Sequence, residues 1–198
     1  MINCKNIRNL LRKDEEGATL MEFGLVVGPL MMIMLGVTDL GYQGYLDTLA
    51  KSKLHEIARQ ASTGSMTVQD IEDKVEEELK PLLLKGVEPK VFVKSYFDFT
   101  SIGKPEKLTF DDNSDGNLDS GDCYLDGNRN GTFDVNFGNT GTGGPDDIVN
   151  YTIEIESPRL FPLAKMFGWS EKMKSTNSTA VRNQPFGDQT EIPEICES

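Results

Sequence analysis

Histidine is nearly missing: His55 is the only one in 198 residues. A Ser-His-Asp or Cys-His device would have to be built on that one side chain. It falls among Lys53, Glu56 and Arg59 in a helical pattern, where it reads as a solvated surface residue. A paired-carboxylate site cannot be located from spacing alone, so no enzymatic activity is expected. Basic residues are also scarce, 20 Lys and Arg against 32 Asp and Glu, for a formal net charge of −12. Such an acidic chain argues against nucleic acid, whose phosphates require Lys and Arg, and favours cation binding or repulsion between like subunits. Cysteine is sparse, at positions 4, 123 and 196. Cys4 precedes the apolar run, which does not fit a lipoprotein signal. The small-residue A-x-A pattern of a secretory cleavage site is missing after that run, where Asp39, Leu40, Gly41 and Tyr42 stand.

What is present is one long hydrophobic stretch. Residues 17–38 read GATLMEFGLVVGPLMMIMLGVT, with Glu22 the only ionisable side chain between Ala18 and Thr38. A run of about 20 such residues suffices to cross about 30 Å of hydrocarbon as a helix. Lys5, Arg8, Arg12 and Lys13 precede it and mark the cytoplasmic side, which directs the body of the chain outward. A carboxylate within such a helix costs about 2.5–3.5 kcal/mol and needs a partner or a task. Cutting after Gly17 would supply one, because the new Ala18 amine would lie one turn from Glu22 of the same or a neighbouring subunit. A short charged leader, Gly17, ATLMEF and an apolar run together resemble the processing site of type IV prepilins and pseudopilins, which a membrane-embedded prepilin peptidase cuts after the glycine. An uncleaved signal anchor is the competing reading.

The expected organisation is a leader over 1–17, a membrane-spanning and then extended helix over 18–62, and an outward domain over 63–198. Leu46, Leu49, Ala50, Leu54, Ile57, Ala58 and Ala61 recur at three- and four-residue spacing, so the helix should continue past the bilayer with one apolar face. Thr67 with Asp70 three residues on predicts a helix start. Val68, Ile71, Val75, Leu79 and Leu82 give that second helix its stripe, and Pro81 marks its end. Alternation predicts strands over 90–100 and 148–156, with 104–110 pairing to the first of these and a last strand over 173–182. RLFPLAKMFGW, residues 159–169, reads as a short packed helix or as a patch that touches a partner or the bilayer. Helices first and strands afterwards predict an α+β domain with an antiparallel, pilin-like sheet.

Residues 111–134, in an acidic region reaching to 146, read DDNSDGNLDSGDCYLDGNRNGTFD. Asp111, Asn113, Asp115, Asn117, Asp119 and Asp122 take positions 1, 3, 5, 7, 9 and 12 of an EF-hand-like calcium loop turned at Gly116. A second frame places Asp126, Asn128, Asn130, Thr132 and Asp134 at positions 1, 3, 5, 7 and 9, but puts Phe137 at position 12. That loop would have to borrow an acid from Asp122, Asp146 or Asp147. The calcium expected here is structural, and the alternative is a solvated Asp/Asn/Gly turn region. Cys123 and Cys196 remain once the leader is removed, and in an oxidising compartment they are either a disulfide or two free thiols.

Three separated stretches, EEGATLMEFGLVVGPLMMIMLG, FGNTGTGGPDDIVNYTIEIE and STAVRNQPF, are together similar to TadE-like pseudopilins of the tight-adherence, or Flp, pilus system. The resemblance implies a minor pilin-like protein matured by prepilin peptidase. It further implies residence in the inner membrane by a single span with a periplasmic C-terminal domain, or incorporation in the pilus, and partners among other pilins, pseudopilins and the assembly platform. Gly17, Ala18 and Glu22 inherit the processing and assembly roles. A membrane-anchored, calcium-dependent surface adhesin is the alternative.

Overall fold

The computed structural model describes residues 16–161, 165, 168–184, 188–189 and 191–197. Residues 1–15 of the leader expected over 1–17 lie outside the described residues, as do most of 162–167 and the Pro185–Phe186 end of the NQPF stretch. Contacts divide the chain into two compact units, Met1–Gly44 with Pro158–Glu171 and Tyr45–Ser157 with Lys172–Ser198. The last part of the first helix, from Tyr45 to Ala61, thus groups with the sheets.

Helix α1 is Glu16–Ala61 and α2 is Val68–Leu79. The strands are β1 (Pro89–Tyr96), β2 (Lys107–Phe110), β3 (Cys123–Leu125), β4 (Asn139–Thr140), β5 (Ile148–Pro158), β6 (Lys172–Arg182) and β7 (Glu194–Cys196). The fold is α+β, with a long apolar N-terminal helix, a second helix and antiparallel pairing in its sheets.

In the second unit, the three- and four-residue spacing of α1 does what an amphipathic face must. Ala50, Leu54, Ile57, Ala58 and Ala61 are all at most 1% exposed. Against them pack Ile71, Val75 and Leu79 of α2, and Val93, Val149, Tyr151, Ile153 and Ile155 of the sheet. Each fully buried Leu or Ile contributes about 1.5–3 kcal/mol, so this cluster is the principal store of stability. Thr67 caps α2 in both directions: its hydroxyl accepts from the Asp70 N–H, and the Asp70 carboxylate accepts from the Thr67 N–H at 2.8 Å. The Thr67 hydroxyl, which also donates to the Asp70 carboxylate at 2.7 Å, and after it the Thr67 N–H hold Asp70 below the usual carboxylate range. The stripe of α2 ends at Leu79. Leu82, expected to extend it, is 41% exposed, because Pro81 turns the chain into a 3₁₀ turn over Lys80–Leu82.

One sheet has the strand order β4-β1-β5-β6 and the other β2-β3-β7. In the first, Val93 faces Tyr151 and Val91 faces Ile153 across an antiparallel pair. β1 stops at Tyr96, short of the expected Phe99, because Asp98 caps a 3₁₀ turn over Phe99–Ser101. The expected pairing of 104–110 with this strand does not occur: β2 pairs with β3 instead. β2 is only four residues long, and its alternating Leu108 and Phe110 stay half-buried and 54% exposed, so it has no buried face with which to enter the larger sheet. β7 completes the small sheet with Cys196 opposite Cys123.

Candidate functional sites: an exposed apolar helix and two acidic loops

The first half of α1 reverses the ordinary arrangement of apolar side chains. Leu20, Met21, Phe23, Leu25, Val26, Ile33 and Val37 are each 64–74% exposed. From Thr19 onward the helix is long and apolar enough to cross a membrane, and nothing in its most apolar window is buried. A contiguous apolar surface of this extent marks a membrane or partner interface. Glu22 lies on it, exposed and with no polar partner among the described residues. Gly17 and Ala18 lie in the helical backbone of the first turn. Pro29 takes its place in the interior without ending the helix. Pro has no N–H to donate there, a loss that membrane helices tolerate.

The acidic region folds into two successive loops of the same local design. In the first, the Asp111 carboxylate accepts from the Gly116 N–H at 2.9 Å, Asn113 Oδ1 from the Asp115 N–H at 2.9 Å, and Asp115 Oδ1 from the Asn117 N–H at 2.8 Å. Gly116, at φ +80°, makes the turn that brings these groups to one side. Asp122, 1% exposed, closes the loop by accepting from the N–H groups of Asp112 and Asp119. Asn113 Nδ2 donates to both Asp115 and Asp119 at 3.3 and 3.1 Å, so an amide bridges two of the carboxylates. Asp111 Oδ1 is buried with no hydrogen-bond partner.

The second loop repeats these bonds. Asp126, 2% exposed, accepts from the N–H groups of Asn130 and Gly131; Asn128 Oδ1 accepts from Asn130; and Asn130 Oδ1 accepts from Thr132. Asp134 Oδ2 accepts from the amides of Asn128 and Asn130 at 2.7 and 2.6 Å. The acid brought to this loop is none of the three expected. It is Glu106, 2% exposed, which accepts from the N–H groups of Gly127 and Asp134 at 2.8 and 3.0 Å. Asp122 belongs to the first loop, Asp146 pairs with Arg182 at 3.2 Å, and Asp147 accepts from Gly144 and Gln189. Glu106 escaped a spacing argument because it precedes β2 and reaches the loop only through tertiary folding.

Burial raises the pKa of Glu106, its N–H donors pull the other way, and the neighbouring Asp126 charge adds to the rise. Tyr124 is fully buried beneath the loops, edge-on to Phe133 with ring centres 5.4 Å apart, and its hydroxyl has no partner. Burial first, and then the surrounding carboxylates, push its pKa up. Among the described residues no three Asp, Glu, His or Cys side chains come close enough together to hold a metal by themselves. Any cation held in these loops would therefore draw on asparagine and backbone oxygens as well. Cys123 and Cys196 form a disulfide across β3 and β7, and the N–H groups of Gly121 and Glu197 bond to Glu197 and Asp122 carbonyls at 2.9 Å. The chain terminus is thereby tied to the base of the first loop.

A further cluster explains two of the motifs. Asn183, 7% exposed, donates its amide to the carbonyls of Thr142 and Gly144 at 2.7 and 2.9 Å, while its N–H bonds the Asp147 carbonyl. The Gln184 N–H bonds the Ser62 carbonyl just past the end of α1. Gly143, at φ +63°, allows this turn, where a Cβ would come within 2.7 Å of Ser95 Cβ. VRNQ and GTGGPDD are thus two halves of one structural clasp.

No curated protein and no solved structure matches the chain. The family model described as TadE-like protein matches residues 17–62, from the start of the exposed apolar surface to the residue after α1, and over that helix the chain is similar to the TadE-like family.

Proposed function

We propose that this chain is a pilus-associated, membrane-anchored pseudopilin of the tight-adherence type, matured by prepilin peptidase between Gly17 and Ala18. One observation carries the reading: an apolar helix surface that is exposed along its first half holds a carboxylate, Glu22, with no polar partner among the described residues, in the segment that matches the TadE-like family. Cleavage would place an α-amine, protonated near neutral pH, one turn from Glu22. Within one subunit that pair offsets the cost of the buried charge. Between subunits it sets the register of one helix against its neighbour, because an unpaired carboxylate in lipid penalises every other register. The inner membrane, with the domain from Tyr45 onward in the periplasm, is the location this mechanism requires. Prepilin peptidase, other pilins and the assembly platform are the partners. N-terminal sequencing of the purified protein tests it: a mature chain starting at Ala18, and no size change in Gly17→Ala upon co-expression of the peptidase, are expected. A functional mature chain that still begins at Met1 would overturn the reading.

The acidic loops support a second element of this function, calcium held as a structural ion. The orphaned, buried Asp111 Oδ1 is the observation in its favour, since a buried acceptor without a donor is costly and calcium is satisfied by such oxygens. Asp111, Asn113, Asp115, the Asn117 carbonyl, Asp119 and Asp122 would hold the ion in the first loop, once the Asn113 amide turns its oxygen inward. Asp126, Asn128, Asn130, the Thr132 carbonyl, Asp134 and Glu106 offer a comparable oxygen set in the second. The ion would neutralise the carboxylates and stiffen the loop that faces other components. The same loops on an uncleaved anchor would suit a calcium-dependent adhesin, and the N-terminal sequence separates the two.

A further inference from the structure

We propose that Trp169, near the end of the connection between β5 and β6, is a second membrane contact, seated in the lipid headgroup layer beside the point where α1 leaves the bilayer. The inference rests on α1 being a membrane span. Within the first compact unit, Asp39 is 8% exposed, although Val37 and Leu40 close to it are 65% and 58% exposed. What covers Asp39 is the start of the connection. The Arg159 guanidinium donates to its carboxylate at 2.7 Å, and the Leu160 N–H does so at 3.0 Å. Arg159 also closes the far end, its Nε donating to the Ser170 carbonyl at 2.9 Å and its N–H to the Glu171 carbonyl at 3.1 Å. Both ends of the connection are therefore fastened at the level of Asp39.

That level is set by the helix. From Leu20 to Asp39 is about 28 Å at about 1.5 Å per residue, close to the roughly 30 Å thickness of the hydrocarbon layer. The described ends of the connection, with Trp169 next to Ser170, consequently lie at the membrane boundary. Its sequence suits that place. RLFPLAKMFGW is apolar apart from Arg159, which is spent on Asp39, and Lys165. Trp169 is 60% exposed, and tryptophan concentrates where one edge of the indole meets acyl chains and the other meets water. Lys165, paired with Glu171 at 2.8 Å and 76% exposed, can lay its methylenes along the boundary while its ammonium stays wet. A protein partner would need no fixed height above the bilayer, whereas the Asp39–Arg159 fastening provides one, and this favours lipid as the occupant.

Trp169 is the only tryptophan, so it reports on its own surroundings. The full-length protein is reconstituted in phosphatidylcholine vesicles, with and without phosphatidylcholine brominated near the headgroup or near the bilayer centre. In parallel, a Trp169→Phe/Met32→Trp variant moves the reporter to the middle of α1. Trp169 is expected to lose most of its emission to the shallow bromines and much less to the deep ones, and Met32→Trp the reverse. Quenching of Met32→Trp alone, with Trp169 emitting as in water, would overturn the proposal and leave the span intact, freeing the connection for a protein partner. Quenching of neither would remove the span and the proposal together. Asp39→Asn in the wild-type background should reduce Trp169 quenching without altering that of a Met32→Trp reporter. Unchanged Trp169 quenching in Asp39→Asn would show that this carboxylate does not hold the connection at the boundary, and would overturn that part of the proposal.

Discussion

The two sheets of the second unit are stabilised by different physics. The four-stranded sheet is covered by α1 and α2, and its inner face, Val93, Val149, Tyr151, Ile153 and Ile155, is at most 4% exposed. The three-stranded sheet offers only Tyr124 as a fully buried apolar side chain, while Leu108 is half-buried and Phe110 is 54% exposed. In place of a core it has a disulfide, a run of carboxylate-to-backbone hydrogen bonds and two loops crowded with acids. A sheet held by apolar burial is stable wherever water is present. One held by a covalent link depends on redox state, and carboxylates crowded into its loops repel one another unless hydrogen-bonded or screened.

The sharpest way to break this contrast is truncation. Ile153→Ala should cost about 2–5 kcal/mol, as for other fully buried large-to-small changes, and Leu108→Ala markedly less, both read by urea unfolding of the full chain in detergent micelles. Equal losses would erase the distinction. Next in size, Cys196→Ser should cost about 2–4 kcal/mol by releasing the constraint on the unfolded chain. Hydrogen exchange should locate the effect, with amides of β3 and β7 losing protection and those of β5 keeping theirs.

Calcium should act on the small sheet alone. At about 1 mM, an ion bound with a dissociation constant of about 10⁻⁴–10⁻³ M adds about 0.4–1.4 kcal/mol. Chelation should lower the melting temperature accordingly, and Asp111→Asn should abolish the difference. A melting temperature indifferent to calcium would leave the loops as hydrogen-bonded turns. The smallest effect belongs to the large sheet. Tyr151 is fully buried with a partnerless hydroxyl, and burial pushes its pKa up to about 12 from 10.0. A pKa raised on folding means that the stability contribution is complete below about pH 10 and is lost as pH rises toward about 12. Tyr151→Phe should be neutral or stabilising by up to about 1 kcal/mol and should remove that alkaline decline, as followed by denaturant midpoints at pH 9 and above.

How far such features could be anticipated depended on their range along the chain. The helix from residue 16 to 61, the capping box at Thr67 and Asp70, and the β5 alternation over 148–156 all arise from residues within a few positions of one another, so periodicity exposes them. Leu82 misled because Pro81 overrides an apolar stripe. The partner of β2 was misjudged because two apolar side chains, Leu108 and Phe110, on a four-residue strand are too few to specify a neighbour. Spacing laid out the repeated Asp/Asn/Gly turns of both acidic loops, yet it could not reach Glu106, twenty residues before Asp126. Asn183 and Arg159 were similarly invisible, since the carbonyls and the carboxylate they bind lie far away in sequence.

Unaided, the order of the residues determined that one stretch is too apolar for water and carries one misplaced acid, that the body is acidic, and that helices precede strands. These follow from composition and local period, which act before the chain folds. Tertiary structure alone decided which carboxylate serves the second loop, which strands share a sheet, that Asp39 is covered by Arg159, and that Asn183 clasps the 142–147 turn. Those outcomes are contacts between distant positions, and only the closing of long loops brings such groups within hydrogen-bonding distance.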